Sequence, residues 1–413
     1  MNFNSVSNYL RLYNKCIRQF SLNNHENLVD FFKKTPFNYR FDEDENLYLV
    51  TYRKKNELYE DDTISSGMGL SLTCMMRGAI FEKGTNKPIC LPMFQFIHND
   101  EYKSISTKDY EFTEAIDGTQ INLFYYGGSW RLSTRGMLDA MDSYWRNYCS
   151  FGDMALEAFG NFDFSKLNVN YCYSFVLTHS EHTHIIKHNV NRLYHVFTRD
   201  MLTFREVHNI NIGIPQPKKR YFISNRFIDV YLNNSNLSNS IGFVAKDIKT
   251  GRRHMLHSEQ YKKMKSLVKN HHDIYDIFID NYTGIDDSIQ NIKHILSHFK
   301  DWKYEWKWVL HTYTDLIDEI ENYYNMCYKQ RKYQVLPYYL KPILYEIHKI
   351  YISRKHEWYR IHRLRTITEP YYSASDIESN PRPQIIRYDI MEWFANLPFK
   401  KRREIFHHFS KMN

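Results

Sequence analysis

Between about residue 45 and residue 260 the apolar positions come in short runs; beyond residue 258 they recur at helical spacing. Leu47–Tyr52 alternates, Leu70–Glu82 is a longer run, and Ile89–Ile97 is apolar but interrupted by proline. Tyr110–Thr113 and Gln120–Tyr126 read as strands flanking Glu114-Ala115-Ile116-Asp117-Gly118-Thr119, in which Asp-Gly-Thr is turn chemistry. Gly127-Gly128, between Asn122–Tyr126 and Trp130–Thr134, predicts a two-residue hairpin. Met137–Tyr148 predicts a helix with Leu138, Met141, Tyr144 and Trp145 on one face. Strands are expected at Tyr171–Leu177, Ile185–His188, Leu193–Thr198 and Phe204–Val207, and a hairpin joins Ile241–Ile248 to Arg252–Leu256.

Helical periodicity covers 1–35, with Tyr9, Leu10, Tyr13 and Ile17 in register. It resumes at 259–282, 285–299, 312–330, 338–362, 384–396 and 399–411, with Pro337, Pro370, Pro381 and Pro398 marking breaks. The expected fold class is therefore α+β: an antiparallel-sheet domain followed by an all-helical C-terminal domain. The expected divisions are an N-terminal helical segment at 1–40, the sheet domain at 41–262 and the helical domain at 263–413.

Composition sharpens this only in places. A chain of 413 residues has room for two domains and a sizeable core. Its 34 Tyr and 27 Phe follow the codon bias of an AT-rich genome, so the aromatic load is not itself a sign of function. Six scattered Cys (16, 74, 90, 149, 172, 327) form no Cys-x-x-Cys pair, which argues against a zinc ribbon or disulfide framework and suits a reducing, cytoplasmic compartment. The first thirty residues hold no long apolar run, so neither a signal peptide nor a membrane span is expected. A formal charge of +8 favours a polyanionic partner. The basic residues cluster late: Arg252, Arg253, Lys262, Lys263, Lys265 and Lys269; then Arg354, Lys355, Arg360, Arg363 and Arg365; then Lys400–Arg403, which reads as a helix start with exposed charge. The second cluster alternates with Trp358, Tyr359, His356 and His362, a combination suited to RNA phosphates and bases.

Several chemistries find no motif. There is no phosphate-binding glycine loop, no His-Glu-x-x-His and no nucleophile elbow. His179, His182, His184 and His188 crowd one stretch, and strand alternation would put the last three on one face; without a Cys or carboxylate partner they make no metal centre. Glu181 is a candidate substitute carboxylate there.

Seven segments stand in a suggestive order: Arg77-Gly78-Ala79-Ile80-Phe81, Pro92-Met93-Phe94-Gln95-Phe96, Ala115-Ile116-Asp117-Gly118, Thr134-Arg135-Gly136, Tyr173-Ser174-Phe175-Val176-Leu177, Ile241-Gly242-Phe243-Val244 and Met255-Leu256-His257. In order and spacing, over roughly 70–265, they resemble the bacteriophage-type ATP-dependent RNA ligases of the covalent lysyl-nucleotidyltransferase superfamily. The resemblance implies a nucleotidyltransferase domain followed by a helical domain, with ATP and Mg2+ as cofactors and RNA ends as substrate. It implies that Arg77, Asp117, Gly118, Arg135 and His257 face the nucleotide, and that Arg252, Arg253, Arg354, Arg360, Arg363 and Arg365 are available to RNA.

The chain departs from the family where chemistry is concentrated. Ala115 stands where the resembled family has the lysine that attacks the α-phosphate, and alanine has no lone pair to offer. Gln95 replaces a lysine, Val176 (or Ser174 in a slipped register) and Ile241 replace glutamates, and Met255 replaces a lysine. The leading expectation is an RNA ligase-like pseudoenzyme that binds RNA ends or a nucleotide. One alternative is an ATP-dependent RNA ligase joining 5'-phosphate and 3'-hydroxyl ends, frozen by alanine at 115. A second is a structural subunit of a viral or nucleoprotein assembly, with a protein partner on the helical domain. Composition and resemblance together imply a large DNA virus or similar element as source, and an infected cell or virion as location.

Overall fold

The computed structural model describes residues 38–53, 77–94, 96, 107–146, 149–182, 184–188, 190–234, 240–249, 251–269, 271, 273–284, 286–333, 336–368 and 382–411. The helices expected in 1–35, the start of the 70–82 run and Gln95 lie outside the described residues. The chain divides into two compact units, Met1–Lys265 and Ser266–Asn413.

The first unit is built on strands. In chain order they are β1 (Asn38–Glu43), β2 (Leu47–Arg53), β3 (Arg77–Glu82), β4 (Pro88–Cys90), β5 (Tyr110–Glu114), β6 (Thr119–Tyr126) and β7 (Ser129–Thr134). There follow β8 (Tyr144–Arg146), β9 (Cys149–Ser150), β10 (Tyr171–Thr178), β11 (Arg192–Asp200), β12 (Lys219–Arg220), β13 (Gly242–Asp247) and β14 (Arg253–His257). Every described ladder is antiparallel. They assemble three four-stranded sheets, in the orders β1-β2-β3-β4, β11-β10-β6-β7 and β12-β5-β13-β14, and a two-stranded one, β8-β9.

Burial explains the sequence pattern. Leu47, Tyr48, Leu49 and Val50 of β2 are all 0% exposed, so this strand is covered on both faces and needs no polar side. Leu47, Leu49, Ile80 and Cys90 of the first sheet pack with Phe124 and Cys172 of the second and with Leu138. The opposite face of the second sheet carries Ile121, Leu123, Phe175 and Leu177 against helix α1 (Phe151–Phe159), through Phe151, Met154, Ala155 and Phe159. Helix α2 (Asn225–Asn233) sets Ile228 and Leu232 on Phe112, Phe243, Ala245 and Leu256 of the third sheet. Each such fully buried side chain contributes roughly 1.5–3 kcal/mol of transfer free energy.

The Gly127-Gly128 hairpin forms as expected, joining β6 to β7. The helix expected at Met137–Tyr148 does not form: a single 3-10 turn at Ala140–Asp142, capped by Asp139, leads into β8. The helix comes one step later, as α1, because Ser150 and Asp153 cap each other's backbone N–H groups and fix its start. The strand expected at Ile185–His188 is also absent; the Ile186 N–H is bonded to a side chain, as described below, rather than to a neighbouring strand. At 204–207 only an isolated bridge, Arg199 to Glu206, is made.

The later chain is helical: α3 (Glu259–Val268), α4 (Ile274–Asn281), α5 (Asp286–His298), α6 (Lys303–Tyr324), α7 (Leu340–Thr368), α8 (Arg387–Asn396) and α9 (Phe399–Ser410). The 259–282 periodicity is two helices, α3 and α4, interrupted where Lys269 takes a φ of 53°. In the second unit α6 begins nine residues earlier than the expected 312, and its buried Trp306, Val309, Tyr313, Leu316, Ile317, Ile320 and Tyr324 keep one stripe over the whole length. No helix among the described residues is long and apolar enough to cross a membrane.

Candidate functional site

β5 belongs to the third sheet and β6 to the second, so residues 115–118 are where the chain passes from one sheet to the other. A short crossing of this kind needs polar groups tied down, and Ala115 and Asp117 supply the ties. The Ala115 N–H donates to the Gly242 carbonyl (3.0 Å), and Ala115 itself is 8% exposed. Gly242 has a φ of 123°, and a Cβ there would lie 1.8 Å from the Leu256 carbonyl oxygen, so only glycine permits this joint between β13 and β14. Gly118 lies flat on β10: a Cβ would come within 2.5 Å of both Val176 Cγ1 and the Leu177 carbonyl oxygen.

Asp117 is the centre of the crossing. Its Oδ1 accepts from the Tyr261 hydroxyl (3.2 Å) and its Oδ2 from the Ile186 backbone N–H (3.0 Å). Its carbonyl accepts from His188 Nε2 (2.6 Å), and His184 Nδ1 lies 4.0 Å from Oδ1. The carboxylate thereby clamps the 184–188 segment and α3 to the turn. The strand face expected for His182, His184 and His188 does not exist, but the three rings do meet. Centroids of 182 and 184 are 3.9 Å apart, and those of 184 and 188 are 5.5 Å apart, both edge to face. His182 is wedged between Trp145 (4.0 Å) and Phe151 (5.2 Å) and contacts Thr119 Oγ1 through Nδ1 (3.1 Å). Burial pushes the His184 imidazole down to about 4, helped by His188 and opposed by Asp117, so this ring is neutral near pH 7. Burial, with Asp117 beside it, raises the Tyr261 phenol far above its ordinary range, so it stays a hydrogen-bond donor. His179 bonds Glu157 Oε2 through Nε2 (3.2 Å), outside this cluster, and Glu181 is exposed.

Of the other expected positions, Val176 and His257 adjoin the same crossing. His257 pairs with Gly242 across the β13–β14 ladder, and its ring lies 5.0 Å from that of Tyr261. Met255 pairs with Val244, and Ile241 is buried at 4% exposure. Val176 is in register with Gln120 and Tyr194 and packs on the turn. Arg77 and Arg135 come together by backbone contact: a Cβ on Gly78 would sit 3.1 Å from the Arg135 Cα. Arg135 is exposed and Arg77 half-buried. The aliphatic side chains at 176 and 241 and the thioether at 255 offer no hard oxygen, so this donor set does not fit Mg2+. Among the described residues no group of three or more His, Cys, Asp or Glu side chains is placed to hold a metal ion.

A polar layer on the second sheet escapes a motif-based reading. Gln120 Nε2 and Ser174 Oγ both donate to Asn122 Oδ1 (3.0 Å each), and Asn122 Nδ2 reaches Ser133 Oγ (3.5 Å). Asn122, Ser133 and Ser174 are all 0% exposed. Alternation puts Gln120 and Asn122, and likewise Ser174 and Val176, on one face of the sheet, the same face as Cys172. The signal was present in Gln120-Ile121-Asn122-Leu123, where polar and apolar residues alternate in a strand buried on both sides.

The basic residues divide sharply. Arg253 is used internally: with Lys246 it pairs Glu206 (2.5 and 2.9 Å). Burial works against the Glu206 carboxylate, but Arg253 and Lys246 outweigh it and hold its pKa below the ordinary value. Arg199, 3% exposed beside them, donates to the Leu91 and Phe204 carbonyls (2.9 Å each). Arg252 is half-buried. On α7, Arg354 pairs the buried Asp389 (2.6 Å) and Arg360 pairs Glu357, while Arg363 and Arg365 are exposed. The 400–403 cluster opens α9, but its charge is not all solvated: Arg402 is 8% exposed and donates to the Ile279 carbonyl, Arg403 pairs Asp276, and Lys401 pairs Glu346.

No protein-family model matches the chain, and no curated protein does. Comparison with solved structures finds partial similarity at low identity. An archaeal ATP-dependent RNA ligase is similar at 10% identity and a TM-score of 0.41, over 65% of this chain and 68% of that one. A putative ATP-dependent DNA ligase from Aquifex aeolicus is similar at 13% identity and a TM-score of 0.40, over 72% of this chain and 80% of that one. An RNA ligase of Naegleria gruberi, with ATP and Mn, is similar at 11% identity and a TM-score of 0.27, over 37% of this chain and 49% of that one.

Proposed function

We propose that the chain is an RNA ligase-like protein that binds RNA ends or a nucleotide and does not form a lysyl-nucleotide. The observation that carries this reading is the condition of the sheet-to-sheet crossing. At the position where attack on a phosphate requires an amine, Ala115 is buried with its N–H committed to Gly242. Two residues on, both carboxylate oxygens of Asp117 are committed to Tyr261 and Ile186. A carboxylate already held at both oxygens by its own fold has less left for a ligand. The retained features are those suited to binding phosphate: the abutting backbones at Arg77-Gly78 and Arg135, and exposed Arg363 and Arg365.

In this reading Arg77 and Arg135 hold a terminal phosphate, and the exposed basic positions add sequence-independent contacts to the RNA backbone. A 5'-phosphorylated RNA oligonucleotide is expected to bind with an affinity that falls as salt rises. Arg77→Ala/Arg135→Ala should weaken it more than it weakens the 5'-hydroxyl form. Pre-adenylylated RNA, whose sealing bypasses the lysine, should remain unsealed; sealing would instead favour an enzyme blocked only at Ala115. Absence of any RNA or nucleotide binding would sink the proposal and favour an assembly role.

A further inference from the structure

β12 is the outer strand of its sheet, and the chain leaving it alternates in and out. Phe222 turns inward, its ring 5.1 Å from Phe112 and 4.9 Å from Phe243. Its two neighbours therefore point away, and Tyr221 is 90% and Ile223 88% exposed. Helix α2 follows, with Ile228 and Leu232 on the sheet. Its opposite face carries Arg226 and Val230, with Phe227 at the flank; Phe227 is 56% and Val230 58% exposed. Four large apolar side chains within ten residues are thus left in water, two of them aromatic, which is more than scattered surface exposure supplies.

The exposed charge around them is mostly basic, with Asp229 of the same helix the partly exposed acid among them. Lys218, Lys219 and Arg226 are exposed, and among the described residues no carboxylate pairs with them. Arg220 is the exception, neutralised by Glu114. An uncharged lipid surface or an apolar protein groove would be served by the aromatic residues alone, and a small acidic ligand by the cations alone. Open aromatic faces interleaved with unpaired cations meet the two needs of single-stranded nucleic acid: stacking platforms for bases and counter-charges for phosphates.

We infer that the β12 edge and the outer face of α2 form a single-stranded RNA-binding surface, with Tyr221 and Phe227 stacking on bases and Lys218, Lys219 and Arg226 contacting phosphates. The choice of RNA as partner rests on the function proposed above. The surface begins beside the crossing, where the Glu114 N–H donates to the Lys218 carbonyl (2.9 Å), and runs outward along the sheet edge.

The test is fluorescence anisotropy with a labelled single-stranded RNA and a duplex of equal length, across a salt series. Tyr221→Ala/Phe227→Ala should weaken the single strand by about 5- to 100-fold per ring, with less effect on the duplex. Lys218→Ala/Lys219→Ala should reduce the slope of log affinity against log salt by about 1.4. All four side chains are exposed, so circular dichroism and thermal unfolding should match the parent protein. If the parent binds RNA and both variants bind equally well, the surface proposal is overturned while the Asp117 reading stands. If the parent binds no RNA the surface proposal falls, and if it binds no nucleotide either the proposed function falls with it. If sedimentation shows that Tyr221 and Phe227 instead hold two copies together, the surface is a self-association site and the inference is wrong.

Discussion

Replacing Asp117 separates a clamp from a ligand-binding group. In Asp117→Ala the Tyr261 hydroxyl and the Ile186 N–H both lose an ionised acceptor, at 3.2 and 3.0 Å, on a side chain 14% exposed. Hydrogen bonds to a charged group contribute roughly 1.5–3 kcal/mol each, so the loss should be roughly 3–6 kcal/mol. Asp117→Asn can keep its oxygen toward Ile186 and turn its amide toward the Tyr261 oxygen, which can accept; it should cost roughly 1–2 kcal/mol. The readout is hydrogen exchange in peptides covering 184–188. A local loss of about 3 kcal/mol corresponds to an exchange rate on the order of 100-fold faster. Tyr261→Phe should produce part of the same effect, and the double variant Asp117→Ala/Tyr261→Phe should be less than additive. If Asp117→Ala leaves exchange at 184–188 unchanged and alters only RNA or nucleotide affinity, the clamp account is wrong and the carboxylate belongs to a ligand.

Three further outcomes are expected. The His184 and His195 imidazoles, both depressed by burial to about 4 from 6.5, stay neutral in the fold. Below pH 6.5 the unfolded chain takes up protons that the folded chain does not, so stability should fall from about pH 6.5 to about pH 4, by about 3 kcal/mol per ring, and then level; His184→Gln should flatten its share of a urea-midpoint profile against pH. Glu206→Gln leaves Lys246 and Arg253 without their carboxylate beside the buried Arg199, and should lower the stability of the first unit by about 3–5 kcal/mol in urea unfolding. Gly242→Ala forces a Cβ to 1.8 Å from the Leu256 carbonyl oxygen, and should cost at least about 3 kcal/mol or abolish soluble folding, scored by yield and thermal unfolding.

The parts of the fold that local chemistry determines were legible in the chain. The Gly127-Gly128 hairpin followed from turn preference and alternation, and the helical second unit from a stripe that α6 keeps over seven buried positions. What failed was decided by partners distant in sequence. Met137–Tyr148 has a helical apolar pattern, yet Leu138 joins the core shared by the first two sheets and Tyr144–Arg146 pairs with Cys149–Ser150. Ile185–His188 has strand composition, but its backbone is held by Asp117, 69 residues earlier. The histidines did converge, through folding of a loop around a carboxylate rather than through strand alternation. Charge counting could not foresee that Arg253, Arg354 and Arg402 pair with internal carboxylates and carbonyls while Arg363 is exposed. Nor did it single out Lys218, Lys219 and Tyr221, because two lysines beside a tyrosine are unremarkable until the fold turns Phe222 inward.

The central claim is that the crossing at 115–118 keeps the frame of a nucleotidyl-transfer site without its chemistry. The most direct measurement restores the amine: Ala115→Lys is incubated with ATP and Mg2+ beside the parent protein, and intact mass is recorded. The account predicts that the lysine form stays unmodified while still binding RNA, because the side chains at 176, 241 and 255 offer no oxygen or cation to the phosphates. A gain of one AMP by the lysine form would contradict it, and would make Ala115 the sole block on a competent ligase pocket.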